Sequence, residues 1–273
     1  MLTLDALDMK KTIDWYQRNG LTFARCVGDV IDAVDSGYQL HNTELIPLSQ
    51  KEIHFVCNLF PQASRDRSIV TSISGEEPLW FSKASTPTFD GLRTTPKRDE
   101  ALSPTAIIPS YADYSVWQKG GPPSADIKIY RIDDDLAPAH IRKLIAAQGL
   151  VHELGHGIVA PAAYIKDYQL ELSEGRKMSG LDFLTAFANC AEEHPAISHY
   201  ASFYRGPQNK FTSPQQGYNE LVAISEEMCE SIAAHLLGFS FRTDIMQRNV
   251  DPLFDRPKVK WFVQEFLNAK RIN

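Results

Sequence analysis

The chain has 273 residues, enough to bury a sizeable core in one large domain or two small ones. Its hydrophobic content of 43% and charged content of 23% are ordinary for a globular protein. The net charge of −6, without a basic stripe, argues against a nucleic-acid-binding surface, and the apolar runs are shorter than the roughly 18 residues that a membrane span needs.

The first part of the chain predicts a mixture of helix and strand. Residues 6–19 have the pattern of a helix that ends at Gly20, and residues 21–27 and 53–60 have the composition of strands. Residues 78–123 are rich in Pro, Ser, Thr and Gly, which is typical of long irregular loops. The Trp, Tyr and Phe side chains of this stretch are too numerous for a disordered linker.

These patterns favour a domain boundary near residue 75, with an N-terminal α/β region (1–75) and a second domain (76–273). A single domain is the alternative. The N-terminus has no basic region followed by an apolar one, so it is unlike a secretory signal. We therefore expect a cytoplasmic protein, or one that is delivered without a cleaved signal peptide.

A strand followed by a long helix is predicted in the middle of the chain. Apolar and polar residues alternate over 126–132, which indicates a strand. Residues 137–159 then have apolar residues at helical spacing, and acidic residues precede them, as suits a helix start. We expect this helix to stop near Pro161, because proline lacks the backbone N–H that a helix interior requires.

The most informative motif of the chain lies inside this helix, where residues 152–156 read His-Glu-Leu-Gly-His. Positions i and i+4 of a helix share one face, so His152 and His156 can direct two imidazoles to one metal ion. Glu153 lies beside the first histidine, where its carboxylate can act as a general base towards a metal-activated water. The motif therefore predicts a catalytic metal site.

A zinc site needs at least three protein ligands, so another residue must complete the set. Residues 219–237 predict a strong helix that carries several carboxylates. Glu226 and Glu230 are spaced i, i+4 and project together from this helix. Glu220 and Glu227 are the alternatives if the register of the helix differs.

The strand, the HExxH helix and the later glutamate helix together resemble the zincin metalloproteases of the gluzincin type. The metzincin extension is absent, because Val159 and Ala162 stand where its glycine and its third histidine should be. The resemblance implies an α+β fold: a small mixed sheet with an edge strand beside the active-site helix, and a mostly helical C-terminal part. In that family the edge strand binds the substrate backbone by β-addition. The resemblance also implies that Glu226 is the third zinc ligand and that Glu230 hydrogen-bonds a ligand histidine and fixes its tautomer.

The resemblance covers roughly residues 125–240 and departs from the family in one respect. The chain between the HExxH motif and Glu226 is longer than in compact gluzincins and includes a predicted helix over 181–191. His194 and His199 in this insertion are rival ligands. Neither has a recognisable ligand spacing, so we interpret both as surface or hydrogen-bonded histidines.

The predicted chemistry uses one Zn²⁺ ion and a polarised water. Three protein ligands leave the fourth zinc position to water, whose pKa falls towards about 7. Glu153 takes the proton, and it later returns the proton to the leaving amine. The oxyanion needs a second donor besides zinc, and relatives often use a Tyr or His just before the glutamate helix. Tyr218 is the candidate here, with Tyr204 and His199 as alternatives.

The C-terminal part is predicted to be helical and buried. Cys190 and Cys229 fall within predicted helices with apolar neighbours, and the chain has no C-x-x-C pair, so we expect buried thiols and a reducing compartment. Residues 259–267 predict a closing amphipathic helix, with Trp261, Phe262 and Phe266 packed inward.

The sequence thus favours a zinc-dependent peptidase that acts on a peptide or protein substrate. The alternatives are a zincin-fold binding or regulatory protein without catalysis, and a metal-dependent amidase that acts on a substrate other than a protein. Glu153 favours an enzyme over the binding protein, because a purely structural metal site has no use for a base beside its ligands.

Overall fold

The protein has a mixed α+β structure in a computed structural model that describes residues 33–77, 79–81, 108–110, 112–117, 123–132, 139–202, 204–211, 220–238, 253 and 255–272. The α-helices of these residues are α1 (Gln50–Cys57), α2 (Gln62–Arg67), α3 (Ala139–Tyr164), α4 (Gly180–Ala191), α5 (His199–Ser202), α6 (Glu220–Leu237) and α7 (Pro257–Asn268). The strands are β1 (Gln39–His41), β2 (Val70–Glu76), β3 (Leu79–Phe81), β4 (Ile108–Ser110), β5 (Ala112–Trp117), β6 (Ser124–Tyr130), β7 (Gln169–Glu171), β8 (Lys177–Ser179) and β9 (Lys270–Arg271). The predictions for residues 6–19 and 21–27 lie outside the described residues.

The largest sheet has the strand order β1-β2-β6-β5 and mixes both strand directions. Strands β1, β2 and β6 are parallel, whereas β5 runs antiparallel to β6. The predicted strand over 126–132 corresponds to β6, whose residues Ala125, Ile127 and Ile129 are fully buried. Strand β6 lies between β2 and β5, so β1 and β5 are the two edge strands of this sheet among the described residues.

Strand β2 spans residue 75 and pairs with β1 on one side and β6 on the other. Described residues from both sides of that position therefore share one sheet. They also share one hydrophobic core, which extends from Ile46 to Ala269 and has α3 at its centre. Two smaller sheets, β3-β4 and β8-β7-β9, accompany the main one.

Helix α3 is longer than the sequence predicts. It passes through Pro161 and ends at Tyr164, so the predicted stop near Pro161 is wrong. Proline cannot donate to the carbonyl four residues earlier, which belongs to Gly157. The N–H of Ile69 donates to that carbonyl instead, at 3.1 Å. The helix continues because a neighbouring segment supplies the missing hydrogen bond.

The predicted strand over 53–60 is also wrong, because most of this segment belongs to helix α1. Ser49 and Glu52 form a reciprocal cap: the Ser49 hydroxyl accepts from the Glu52 N–H at 3.3 Å, and the Ser49 N–H donates to the Glu52 carboxylate at 2.7 Å. Ile53, Val56 and Cys57 are fully buried and are spaced i, i+3, i+4. The cap and this spacing outweigh the strand propensity of the apolar run.

The predicted C-terminal helices are confirmed as α4, α6 and α7, and Cys190 and Cys229 are buried. One detail of α7 is wrong: the side chain of Trp261 is 41% exposed and does not pack inward. The buried face of α7 is formed by Val259, Val263 and Phe266, and position 261 lies on the other side of the helix.

Trp261 instead lies on the surface, where its ring centroid is 5.0 Å from that of Phe262 and 5.5 Å from the guanidinium carbon of Arg176.

Among the described residues, no helix has the length and apolar character needed to cross a membrane.

Candidate metal centre

The centre is built where α3 and α6 pack against each other. Gly155 on α3 faces Cys229 on α6, and a Cβ atom at Gly155 would lie 3.2 Å from the Cys229 sulfur and 3.4 Å from its Cα atom. This close approach requires glycine or a small shift of the neighbouring helix. His152 and His156 flank Gly155 in sequence, and Glu226 and Glu230 flank Cys229. The contact therefore brings the two histidines against the two glutamates.

Three side-chain atoms meet at this interface: Nε2 of His152, Nε2 of His156 and Oε2 of Glu226. The two nitrogens are 3.1 Å apart, and the carboxylate oxygen is 3.2 Å from His152 and 3.5 Å from His156. Ligands bound at about 2.0–2.2 Å to a tetrahedral zinc ion lie about 3.3–3.6 Å from one another. The observed triangle agrees with this spacing to about 0.2 Å. These residues could hold a metal ion.

The electrostatic surroundings of this triangle also fit a cation. Glu226 is only 8% exposed, and its Oε2 atom accepts no hydrogen bond from the described residues. Burial raises the pKa of Glu226, but the charge of His156 and the close approach of His152 outweigh it and hold the pKa below its usual range. The glutamate is therefore ionised, and a buried carboxylate is stabilised by a neighbouring positive charge.

Glu230 lies behind the first histidine. Its Oε1 atom is 2.7 Å from Nδ1 of His152, and both side chains are buried. Burial lowers the pKa of His152, but Glu226 and Glu230 outweigh it and hold the pKa well above its usual value. With Nδ1–H donating to Glu230, a metal ion would take the place of the proton at Nε2, whose lone pair would then face the triangle. This is the tautomer that a metal ligand needs.

Glu153 lies close to the same group of side chains. It is half-buried, and its charge contributes to the raised pKa values of His152 and Tyr114. Because it follows His152 in the helix, its carboxylate leaves α3 about 100° around the axis from that ligand. It is therefore beside the triangle without being one of its corners.

Tyr114, on the edge strand β5, is a part of this region that sequence reasoning did not identify. Its ring stacks on the imidazole of His156, with centroids 5.7 Å apart and planes inclined by 28°. Its hydroxyl oxygen is buried, and burial raises the pKa of Tyr114 well above its usual value. The signal that could have revealed it is the alternation over 112–117, which places Tyr114 opposite the buried Ile127.

The other candidate ligands lie elsewhere or are not described. Glu227 is 1% exposed and points away from the triangle, towards Arg205 at 2.6 Å and the N–H of Ile197 at 3.0 Å. Glu220 is exposed at the start of α6. Neither belongs to the metal-ligand group formed by the described residues.

The remaining candidates come from the segment between α4 and α6. His194 is outside the ligand group, and Tyr204 packs partly buried against the core. The side chain of His199 and all of Tyr218 lie outside the described residues, so the prediction that Tyr218 stabilises the oxyanion stays a prediction.

Comparison with known proteins gives no family for this chain: no family model, curated protein or solved structure matches it.

Proposed function

We propose that the protein is a zinc-dependent peptidase of the gluzincin type. The observation that carries the proposal is the triangle of His152 Nε2, His156 Nε2 and Glu226 Oε2, with edges of 3.1–3.5 Å. The donor set of two imidazoles and one carboxylate is a common zinc set, and three ligands distinguish a catalytic site from a structural one, which has four. Among the described residues, no fourth ligand joins the group.

His152, His156 and Glu226 would hold the zinc ion, which would polarise a carbonyl group and lower the pKa of a bound water to about 7. Glu153 accepts the proton of the attacking water and passes it to the departing amine nitrogen, since it stands next to His152 on the same helix. Glu230 keeps His152 in the tautomer whose Nε2 faces the centre, through the 2.7 Å contact with Nδ1.

A peptide substrate is favoured by the sheet beside the centre. Strand β5 is one of the two edge strands of the main sheet among the described residues, and its Tyr114 stacks on His156. An edge strand offers unpaired N–H and C=O groups to an extended peptide, which could pair with it as an added strand. Such pairing would place the backbone of the substrate alongside the metal centre.

Glu153→Gln is the experiment that tests this proposal. The variant keeps the size of the side chain and removes the base, so we expect one zinc per chain as in the wild type and a loss of peptide hydrolysis of about 10²–10⁴-fold. Zinc content is measured by elemental analysis, and hydrolysis is measured on a quenched fluorescent peptide library.

Glu220→Gln is the matched control, because it removes an exposed glutamate from the ligand helix and should change neither quantity. Wild-type rates of hydrolysis in Glu153→Gln would contradict the assigned mechanism. A wild-type protein that binds zinc and cleaves no peptide of the library would contradict the peptidase proposal.

A further inference from the structure

The two ligand histidines are held in different ways. Nδ1 of His152 contacts the carboxylate of Glu230. His156 has no such partner at Nδ1 among the described residues, although ligating histidines generally donate that N–H to a carboxylate or carbonyl group. Apart from the other two ligand side chains, the ring of Tyr114 contacts its imidazole and stacks on it with centroids 5.7 Å apart.

Tyr114 is itself firmly placed. It pairs with Ile127 in the β5–β6 ladder, and Ile127 is fully buried under the active-site helix. The hydroxyl oxygen of Tyr114 is buried, and the residue as a whole is partly buried and packs against the core. An aromatic side chain has only two rotatable torsions, and here the strand and the core restrict both.

We propose that Tyr114 is a positioning residue for the metal centre and that its ring fixes the orientation of the His156 imidazole. The inference rests on the proposed metal site. The ring limits rotation about the Cβ–Cγ bond of His156, so Nε2 stays at 3.1 Å from the corresponding atom of His152 and at 3.5 Å from Glu226. The ring thus orients the imidazole of His156, as the contact with Glu230 orients the imidazole of His152.

The consequence is an effect on metal affinity that depends on the ring and not on the hydroxyl. Partners that orient a ligand histidine typically change metal affinity by about 10–100-fold. Tyr114→Phe keeps the ring and should bind zinc as tightly as the wild type. Tyr114→Leu removes the aromatic surface, and we expect it to bind zinc about 10–100-fold more weakly.

Zinc affinity is measured by competition with a chromophoric chelator, together with the visible absorption of bound Co²⁺, which reports the ligand geometry. Tyr114→Met is a second non-aromatic variant, with a flexible side chain that fills the space should the leucine variant unfold. Tyr168→Leu is the control, because it removes the ring of a buried tyrosine that does not belong to the ligand group. It should lose stability without a change in zinc affinity or in the Co²⁺ spectrum.

Wild-type zinc affinity in a folded Tyr114→Leu or Tyr114→Met variant would overturn the inference. Equal weakening in Tyr114→Phe would also overturn it, because the hydroxyl would then be the group that matters. Peptide hydrolysis is not part of this assay, so failure of the peptidase proposal is seen separately, in the Glu153→Gln comparison. A wild-type protein that binds no zinc would overturn both.

Discussion

Replacing Glu230 by Gln tests how much the hydrogen bond behind His152 contributes to metal binding. The contact is 2.7 Å long, Glu230 is 4% exposed, and the carboxylate accepts from an imidazole N–H. Glutamine has nearly the same shape and can still accept through its amide oxygen, but it has no charge. A hydrogen bond to a charged group contributes about 1.5–3 kcal/mol, against about 1 kcal/mol for a neutral one. At about 1.4 kcal/mol per factor of ten, losing the charge should weaken zinc binding by roughly 2- to 30-fold.

The assay is isothermal titration of the metal-free protein with zinc in the presence of a competing chelator. Glu220→Gln on the same helix serves as the control, because its side chain is exposed and distant from the ligand triangle. Circular dichroism establishes that each variant is folded. Unchanged zinc affinity in a folded Glu230→Gln protein would refute the reasoning, since Glu230 would then have no part in orienting His152.

The other predictions concern packing and pH. Arg205→Met leaves the buried charge of Glu227 without its partner at 2.6 Å, so the free energy of unfolding in urea should fall by about 3–5 kcal/mol; a loss below 1 kcal/mol would contradict this. Gly155→Val forces α3 away from Cys229 and should weaken zinc binding, measured by chelator competition, whereas Gly155→Ala combined with Cys229→Ala relieves the contact with the sulfur and should keep most of it.

The contribution of Glu192 to stability should depend on pH. Burial raises the pKa of Glu192, but Lys210 at 2.6 Å and the N–H of Phe211 outweigh it, so the folded pKa is lowered. A lowered pKa stabilises the fold above the unfolded value of about 4.3, and this contribution is lost as pH falls through the folded pKa. The stability difference between wild type and Glu192→Gln in urea should therefore be larger at pH 7 than at pH 3, and a constant difference would contradict the assignment.

The two helices that contain the ligand residues could be predicted because each has a strong local sequence pattern. Helices α3 and α6 have long apolar periodicity, and their i, i+4 pairs specify which side chains project together. That pattern predicted the two helices, and the choice of Glu226 over Glu220 and Glu227 was what the resemblance to the gluzincins implied. The register between the helices depends on the contact of Gly155 with Cys229, which only the folded structure reveals.

Two features that the sequence did not predict depend on contacts between residues distant in sequence. Pro161 remains inside α3 because Ile69, from a different segment, donates to the carbonyl of Gly157. Tyr114 joins the centre because a strand-strand register sets it opposite Ile127 and beneath α3. The contact of Ile69 with Gly157 leaves no local signal in the sequence, and the alternation over 112–117 indicates a strand but not its register. At residues 53–60, by contrast, the Ser49–Glu52 cap was a local signal that the apolar composition obscured.

The central claim is that His152, His156 and Glu226 together bind a zinc ion. Anomalous-difference maps from a zinc-soaked crystal, with data collected on both sides of the zinc absorption edge, test it most directly. We predict one strong edge-dependent peak at about 2.0–2.2 Å from Nε2 of both histidines and from Oε2 of the glutamate. A peak coordinated instead by His194 or a cysteine, or no peak after soaking, would contradict the claim.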